Sequence, residues 1–165
     1  MKLFSKAAVL LSALVIALAT IGCKNEPDTL SGTYKLSSIN EAGMTVSKSG
    51  SSITTTSAGV SVVITKTGTT YTATSNGQDL TAEMGGSDAL GEQYEEMAAM
   101  FEMSLTFNNG TVTATMPGEG TQSGTYTVDG DTAVITISGE PGTAVTTDGW
   151  NTFTVNGGML TFTRQ

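Results

Sequence analysis

The 165 residues contain no histidine and a single cysteine, Cys23. Without histidine the chain lacks the side chain that ordinarily titrates nearest neutrality and the commonest transition-metal ligand. With one cysteine, no disulfide can form within the chain. Positive charge is also scarce: seven lysines and arginines stand against fifteen aspartates and glutamates. Two of the seven, Lys2 and Lys6, lie at the start, so beyond Gly22 five basic residues face all fifteen acidic ones, and five minus fifteen gives a net charge of −10. A surface of that sign repels phosphate backbones and anionic headgroups, so neither nucleic acid nor electrostatic membrane docking is expected. Catalysis would have to rest on carboxylates or on serine with lysine, and neither an enzyme nor a cofactor is expected. Glu92, Glu95, Glu96 and Glu102 read as a solvated helix face. Asp129-Gly130-Asp131 offers two carboxylates where calcium wants six to eight oxygens, so it reads as a hairpin turn and no metal is expected. Gly85-Gly86 and Gly157-Gly158 lack the spacing of a phosphate loop.

What is present begins with Lys2 and Lys6, followed by an uncharged apolar stretch from Ala7 to Ile21. That stretch is shorter than the roughly 20 residues a membrane-crossing helix needs and ends in small residues, the layout of a signal peptide. We expect residues 1–22 to be a signal peptide, 23–29 a modified N-terminus and tether, and 30–165 the folded domain. The segment Ala19-Thr20-Ile21-Gly22-Cys23 resembles the lipobox of bacterial lipoproteins, with Thr20 where an aliphatic residue is usual. The resemblance implies lipidation of Cys23 with palmitate-like acyl chains. It places the protein as a lipid-anchored component of the cell membrane or outer membrane, on the exported side, in the periplasm or at the cell surface. Each buried methylene contributes about 0.8 kcal/mol, and two or three chains on one residue hold a protein on a bilayer where one would not. At no more than about 3.5 Å per residue, the polar segment Lys24 to Thr29 keeps the domain near that membrane.

From Leu30 onward the dominant period is two, with β-branched residues alternating with small or polar ones. Strands are expected at Ser31 to Ile39, Ser51 to Thr56, Val60 to Lys66, Thr69 to Ser75, Asp79 to Met84, Ser104 to Phe107, Thr111 to Met116, Thr121 to Val128, Thr132 to Ser138, Trp150 to Val155 and Met159 to Arg164. Thr67-Gly68, Asn76-Gly77, Asn109-Gly110, Asp129-Gly130 and Asn156-Gly157-Gly158 supply the residues that tight hairpins require. Strands joined by such turns are antiparallel neighbours, so the fold class is all-β, an antiparallel up-and-down meander.

One segment departs from the pattern. Ser87 to Glu102 spaces Leu90, Tyr94, Met97 and Phe101 at helical intervals, which predicts one inserted amphipathic helix with Ser87 at the N-cap and Asp88 in the first turn. Its apolar stripe is expected to lie against the sheet or across the open end of a barrel. Gly91 is unfavourable inside it. Met84, Met97, Met100 and Met103 cluster in or beside this helix as core filler or as an adaptable lid.

Leu30-Ser31-Gly32-Thr33-Tyr34-Lys35-Leu36 opens the domain and Met159-Leu160-Thr161-Phe162-Thr163-Arg164 closes it. Together with Ser123-Gly124-Thr125-Tyr126-Thr127-Val128-Asp129-Gly130-Asp131-Thr132, followed later by Trp150 to Arg164, they resemble lipocalin-like bacterial lipoproteins. The resemblance implies a lipocalin-like β-barrel, with Tyr34 in the place of the first-strand tryptophan and Arg164, the chain's only arginine, packing over that ring as the barrel closes. A guanidinium over a ring face contributes about 0.5 to 2 kcal/mol whatever the family.

Such a barrel is expected to bind a small hydrophobic or amphipathic ligand in its mouth, with Tyr71, Tyr94, Met97, Phe101 and Trp150 as candidate lining residues. Trp150 also reads as a buried sheet anchor. The alternative is a protein-interaction module or hydrolase inhibitor at the cell envelope, with an envelope protein as partner, an exposed apolar patch or uncovered edge strand and no cavity. Its protruding element would be a loop from Gly139 to Gly149.

Overall fold

The computed structural model describes residues 30–165, so the signal-peptide, Cys23 and tether readings lie outside the described residues. Among the described residues thirteen strands and one helix follow one another: β1 (Gly32–Glu41), β2 (Met44–Ser49), β3 (Ser52–Ser57), β4 (Val60–Thr67), β5 (Thr70–Ser75), β6 (Gln78–Asp79), α1 (Gly86–Met100), β7 (Ser104–Asn108), β8 (Thr111–Met116), β9 (Gly120–Asp129), β10 (Thr132–Ile137), β11 (Glu140–Val145), β12 (Thr152–Val155) and β13 (Leu160–Arg164). All the pairings are antiparallel. The expected all-β meander with one inserted helix is what forms, and eight of its strands close into a barrel.

The closure works because β1 is shared. Its first half, Gly32 to Lys35, pairs with β7, while Ser38 to Glu41, further along the same strand, pairs with β2. On its other side β1 pairs with β13 from Tyr34 to Ile39. Strands β7 to β13 therefore run round from β1 back to β1, and β2 to β6 stand off it as a wing. The β1–β13 register slips between Leu36 and Ser38, a bulge that leaves Leu36 opposite Phe162 and Ile39 opposite Leu160. With that extra residue, both apolar pairs face the same core, and the inner face of the barrel continues into that of the wing. At Asn76-Gly77 and Asn109-Gly110 both residues have positive φ, as two-residue hairpins on right-twisted strands demand.

Several expected boundaries change. Asp79 to Met84 is not a strand: β6 ends at Asp79 and the chain then turns into the helix. Met44 to Ser49, where Val46 is the one strongly strand-forming apolar residue, becomes β2 because its backbone is paired on both sides. The stretch expected as a protruding loop after Gly139 is β11 as far as Val145. Proline and glycine there speak against a strand, yet β11 meets β12 only at Ala144 and Val145. Pro141 thus stands where one side of the strand has no ladder to supply.

The helix also differs at its start. Ser87 is not the N-cap; Gly85 takes that position in a left-handed conformation with no side-chain capping bond. The Ser87 hydroxyl instead accepts the Tyr71 amide at 2.8 Å, and the Thr81 hydroxyl accepts the Ala73 amide at 3.0 Å. These two side chains satisfy the outer edge of β5 beyond the two-residue β6. Gly91 has its own reason: a Cβ there would lie 2.9 Å from Tyr71 Cε2, so the glycine lets the ring close onto the helix.

Candidate binding site

The barrel has two unlike ends. Hairpins β7–β8 and β9–β10 and the loop between β11 and β12 lie at one end, where β1 also begins; hairpins β8–β9, β10–β11 and β12–β13 lie at the other. The first end is sealed by aromatic packing. Tyr34 is fully buried between Phe107 at 5.6 Å and Phe153 at 5.0 Å, and Phe153 stacks on Phe162 at 5.3 Å. Over them folds Trp150, buried and with φ of 65°, its ring 6.1 Å from that of Phe153.

Tyr34 and Arg164 do meet, though chiefly through the hydroxyl. Arg164 donates from Nε at 3.0 Å and from Nη2 at 2.7 Å to Tyr34 Oη, which itself donates to the Trp150 carbonyl at 2.7 Å. The guanidinium carbon is 5.4 Å from the ring centroid, so the group sits toward the hydroxyl end while remaining within cation–π range. One buried oxygen thereby ties first strand, last strand and sealing loop together. The loop is further held by Thr146, whose hydroxyl donates to the Thr152 carbonyl and accepts the Trp150 amide. Asp148 receives both the amide and the hydroxyl of Thr152, at 2.8 and 2.6 Å.

The opposite end is open. There the interior side chains enclose a cleft of about 50 Å³. Leu105, Ala114, Ile135, Gly142 and Phe162 form its deeper layer, and Met103, Met116, Ile137, Val155 and Leu160 its upper walls. The only polar side chains lining it are Glu140 and Asn156. Room exists because small residues face inward: a Cβ on Gly142 would meet nothing closer than the Ile135 carbonyl oxygen at 3.9 Å.

None of the five expected lining residues borders this cleft. Trp150 belongs to the sealed end, as a buried anchor. Tyr71 and Tyr94 join the wing to α1, their rings 5.5 Å apart, while Phe101, just past the helix, is buried in the hydrophobic core and Met97 packs against that core. Met103 is the one member of the methionine cluster that reaches the cleft. The residues that sequence reasoning missed are ordinary alternating strand residues. Their strand periodicity marks them as interior, but whether an interior position borders filled or empty space depends on neighbours on other strands.

The helix is fastened to the wing by a solvated cluster. Glu95 Oε1 accepts from Lys66 Nζ and from Tyr71 Oη, each at 2.6 Å. The lysine hydrogen bond, then the tyrosine one, hold the Glu95 carboxyl below its usual range, and the Glu95 bond raises both Lys66 and Tyr71. The hydroxyl and then the amide of Thr152 lower Asp148 similarly. Carboxyls depressed in the fold contribute stability above their unfolded pKa of about 4 and lose it as pH falls through the folded value. Lys66 and Tyr71, both raised, contribute below about pH 10 and lose it above. Melting temperature is therefore expected to hold steady between about pH 5 and 9 and to drop on either side, with Asp148→Asn flattening the acid limb. Melts of both proteins across pH check this; an acid limb identical in the variant removes Asp148 from the account. Among the described residues no cluster of acidic side chains could hold a metal ion, and no helix is long and apolar enough to cross a membrane.

Compared with family models, with curated proteins and with solved structures, the chain matches none of them. The barrel and its cleft therefore carry the functional reading by themselves.

Proposed function

We propose that this is a lipid-anchored envelope lipoprotein whose lipocalin-like barrel binds the apolar end of a small amphipathic molecule, without catalysis. The supporting observation is the cleft itself, lined by apolar side chains except at Glu140 and Asn156 and open at that end. Its roughly 50 Å³ exceeds the ~10–15 Å³ that one water occupies, yet falls well below the ~300–1,000 Å³ of sites that engulf a whole drug-sized ligand. It takes one end of a molecule and leaves the headgroup at the rim. The only charged residue lining the cleft is Glu140, on a chain of net charge −10 beyond Gly22, so the headgroup is neutral or cationic.

Fluorescence of N-phenyl-1-naphthylamine bound to the purified protein tests this. Dodecylamine and dodecanol should displace the dye at lower concentration than dodecanoate. Gly142→Leu, which fills the cleft, should weaken dye binding about tenfold or more, equivalent to at least ~1.4 kcal/mol, while the protein still melts cooperatively. Undiminished binding by that folded variant, or a preference for the carboxylate, sinks the reading.

For the envelope-protein alternative, Ser87 and Thr81 take the Tyr71 and Ala73 amides on the β5 edge, which leaves as an edge-strand route the stretch of β11 from Glu140 to Thr143 that β12 does not pair, and Pro141 lies within it. Met44, Val60, Val134 and Val145 are the only large apolar side chains left exposed among the described residues.

A further inference from the structure

We infer that the barrel mouth faces away from the bilayer that anchors the protein, so that its ligand arrives from the aqueous compartment and is not drawn from that same membrane. The inference rests on the anchored, ligand-binding reading above and adds a direction to it.

Three observations fix the direction. Leu30 is buried at the sealed end, and its carbonyl accepts the Tyr126 hydroxyl at 2.7 Å, so the chain enters the domain there at a fixed point. Gly32 then pairs with Phe107, one of the sealing aromatics, before β1 runs toward the cleft and reaches it beside Leu36, opposite Phe162. The wing continues the same way, since β2 joins β1 only from Ser38 to Glu41. The order along the long axis is entry point, sealed end, mouth, wing.

Seven residue steps separate Gly32 from Ile39, so the mouth lies on the order of 20 Å from the entry point. An anchor at Cys23 is tied to Leu30 by seven residues, about 24 Å at full stretch. For the mouth to meet the bilayer, that tether would have to lie almost fully extended back along the barrel wall, forfeiting nearly all of its conformational freedom. With the sealed end toward the membrane no such extension is required. A sealed, aromatic-packed end has no path for lipid, and an amphiphile leaving the anchoring bilayer must cross water to reach the cleft.

The full-length protein, acylated in a bacterial host and reconstituted into phosphatidylcholine vesicles carrying an acceptor-labelled lipid, tests this. Acylated Cys23 does not react with maleimides, so a single introduced cysteine takes the donor. Asp131→Cys places it in the β9–β10 turn of the sealed end, and Glu119→Cys in the β8–β9 turn of the mouth, both exposed and each removing one negative charge. Energy transfer from residue 131 should exceed that from residue 119 by about twofold, given a separation on the order of 20 Å. Equal or reversed transfer in protein whose mass confirms acylation overturns the inference and leaves the ligand reading standing. A mass without acyl chains overturns the anchor and the inference together, while the dye assay on the soluble protein still judges the cleft.

Discussion

Gly124→Ala is expected to be the most damaging single-methyl change in the domain, costing about 3 kcal/mol or more in denaturant unfolding. A Cβ at this position would lie 1.9 Å from the Thr136 carbonyl oxygen and 2.8 Å from its carbonyl carbon. Both are backbone atoms of β10, so no side chain can swing aside, and the β9–β10 ladder must part at Gly124 and Ile137. Gly142→Ala is the control, because its Cβ meets nothing closer than 3.9 Å and the same loss of glycine flexibility costs no contact. Comparable unfolding midpoints for the two variants would show that β10 can give way and that the close approach does not govern the site.

Tyr34→Ala should cost about 3–5 kcal/mol, the range for deleting a fully buried aromatic ring. Tyr34→Phe separates ring from hydroxyl. It keeps the packing against Phe107 and Phe153 but leaves the Trp150 carbonyl and the Arg164 guanidinium without their shared partner. Arg164 is exposed and can turn to water, but the Trp150 carbonyl is buried, and orphaning a buried polar group costs about 1–3 kcal/mol, so the phenylalanine variant should fall between wild type and alanine. Amide exchange should then speed up in the loop from Thr146 to Asn151 and at the end of β13 more than in the wing, which shares no contact with that oxygen. A uniform acceleration across barrel and wing would mean the hydroxyl stabilises the domain globally and does not specifically hold the seam. Cleft filling by Gly142→Leu, by contrast, should leave this exchange pattern unchanged, since Gly142 borders the opposite end.

These two sites differ in how visible they were. The pairing of Tyr34 with Arg164 was legible through the resemblance to lipocalin-like lipoproteins, and the attraction of a guanidinium to an aromatic ring gives it a physical rationale whatever the family. The need for Gly124 has no local cause. Nothing around it in sequence distinguishes it from a glycine that merely sits in a strand, because the atom it avoids belongs to Thr136 on the next strand. Gly91 is the same case on the helix. Propensity counts it as a fault, whereas the Tyr71 ring, twenty residues earlier, makes it the residue that lets helix and wing close. Ser87 shows a competition between partners: a serine at a helix start suits the N-cap, but the unpaired Tyr71 amide on the β5 edge claims its hydroxyl.

By itself the sequence determined an all-β meander with one helix, because the side-chain period along a strand and the positive φ of Asn-Gly corners are local properties that each segment expresses alone. It also determined the charge of the chain and the residue types it lacks. Tertiary structure alone decided that β1 serves both barrel and wing of one sheet, that eight strands close while five form the wing, and that aromatics seal one end and small residues leave space at the other. Closure, clearance and empty volume are relations among strands far apart in the chain. A residue's own preferences carry its face, and only its neighbours fix what that face meets.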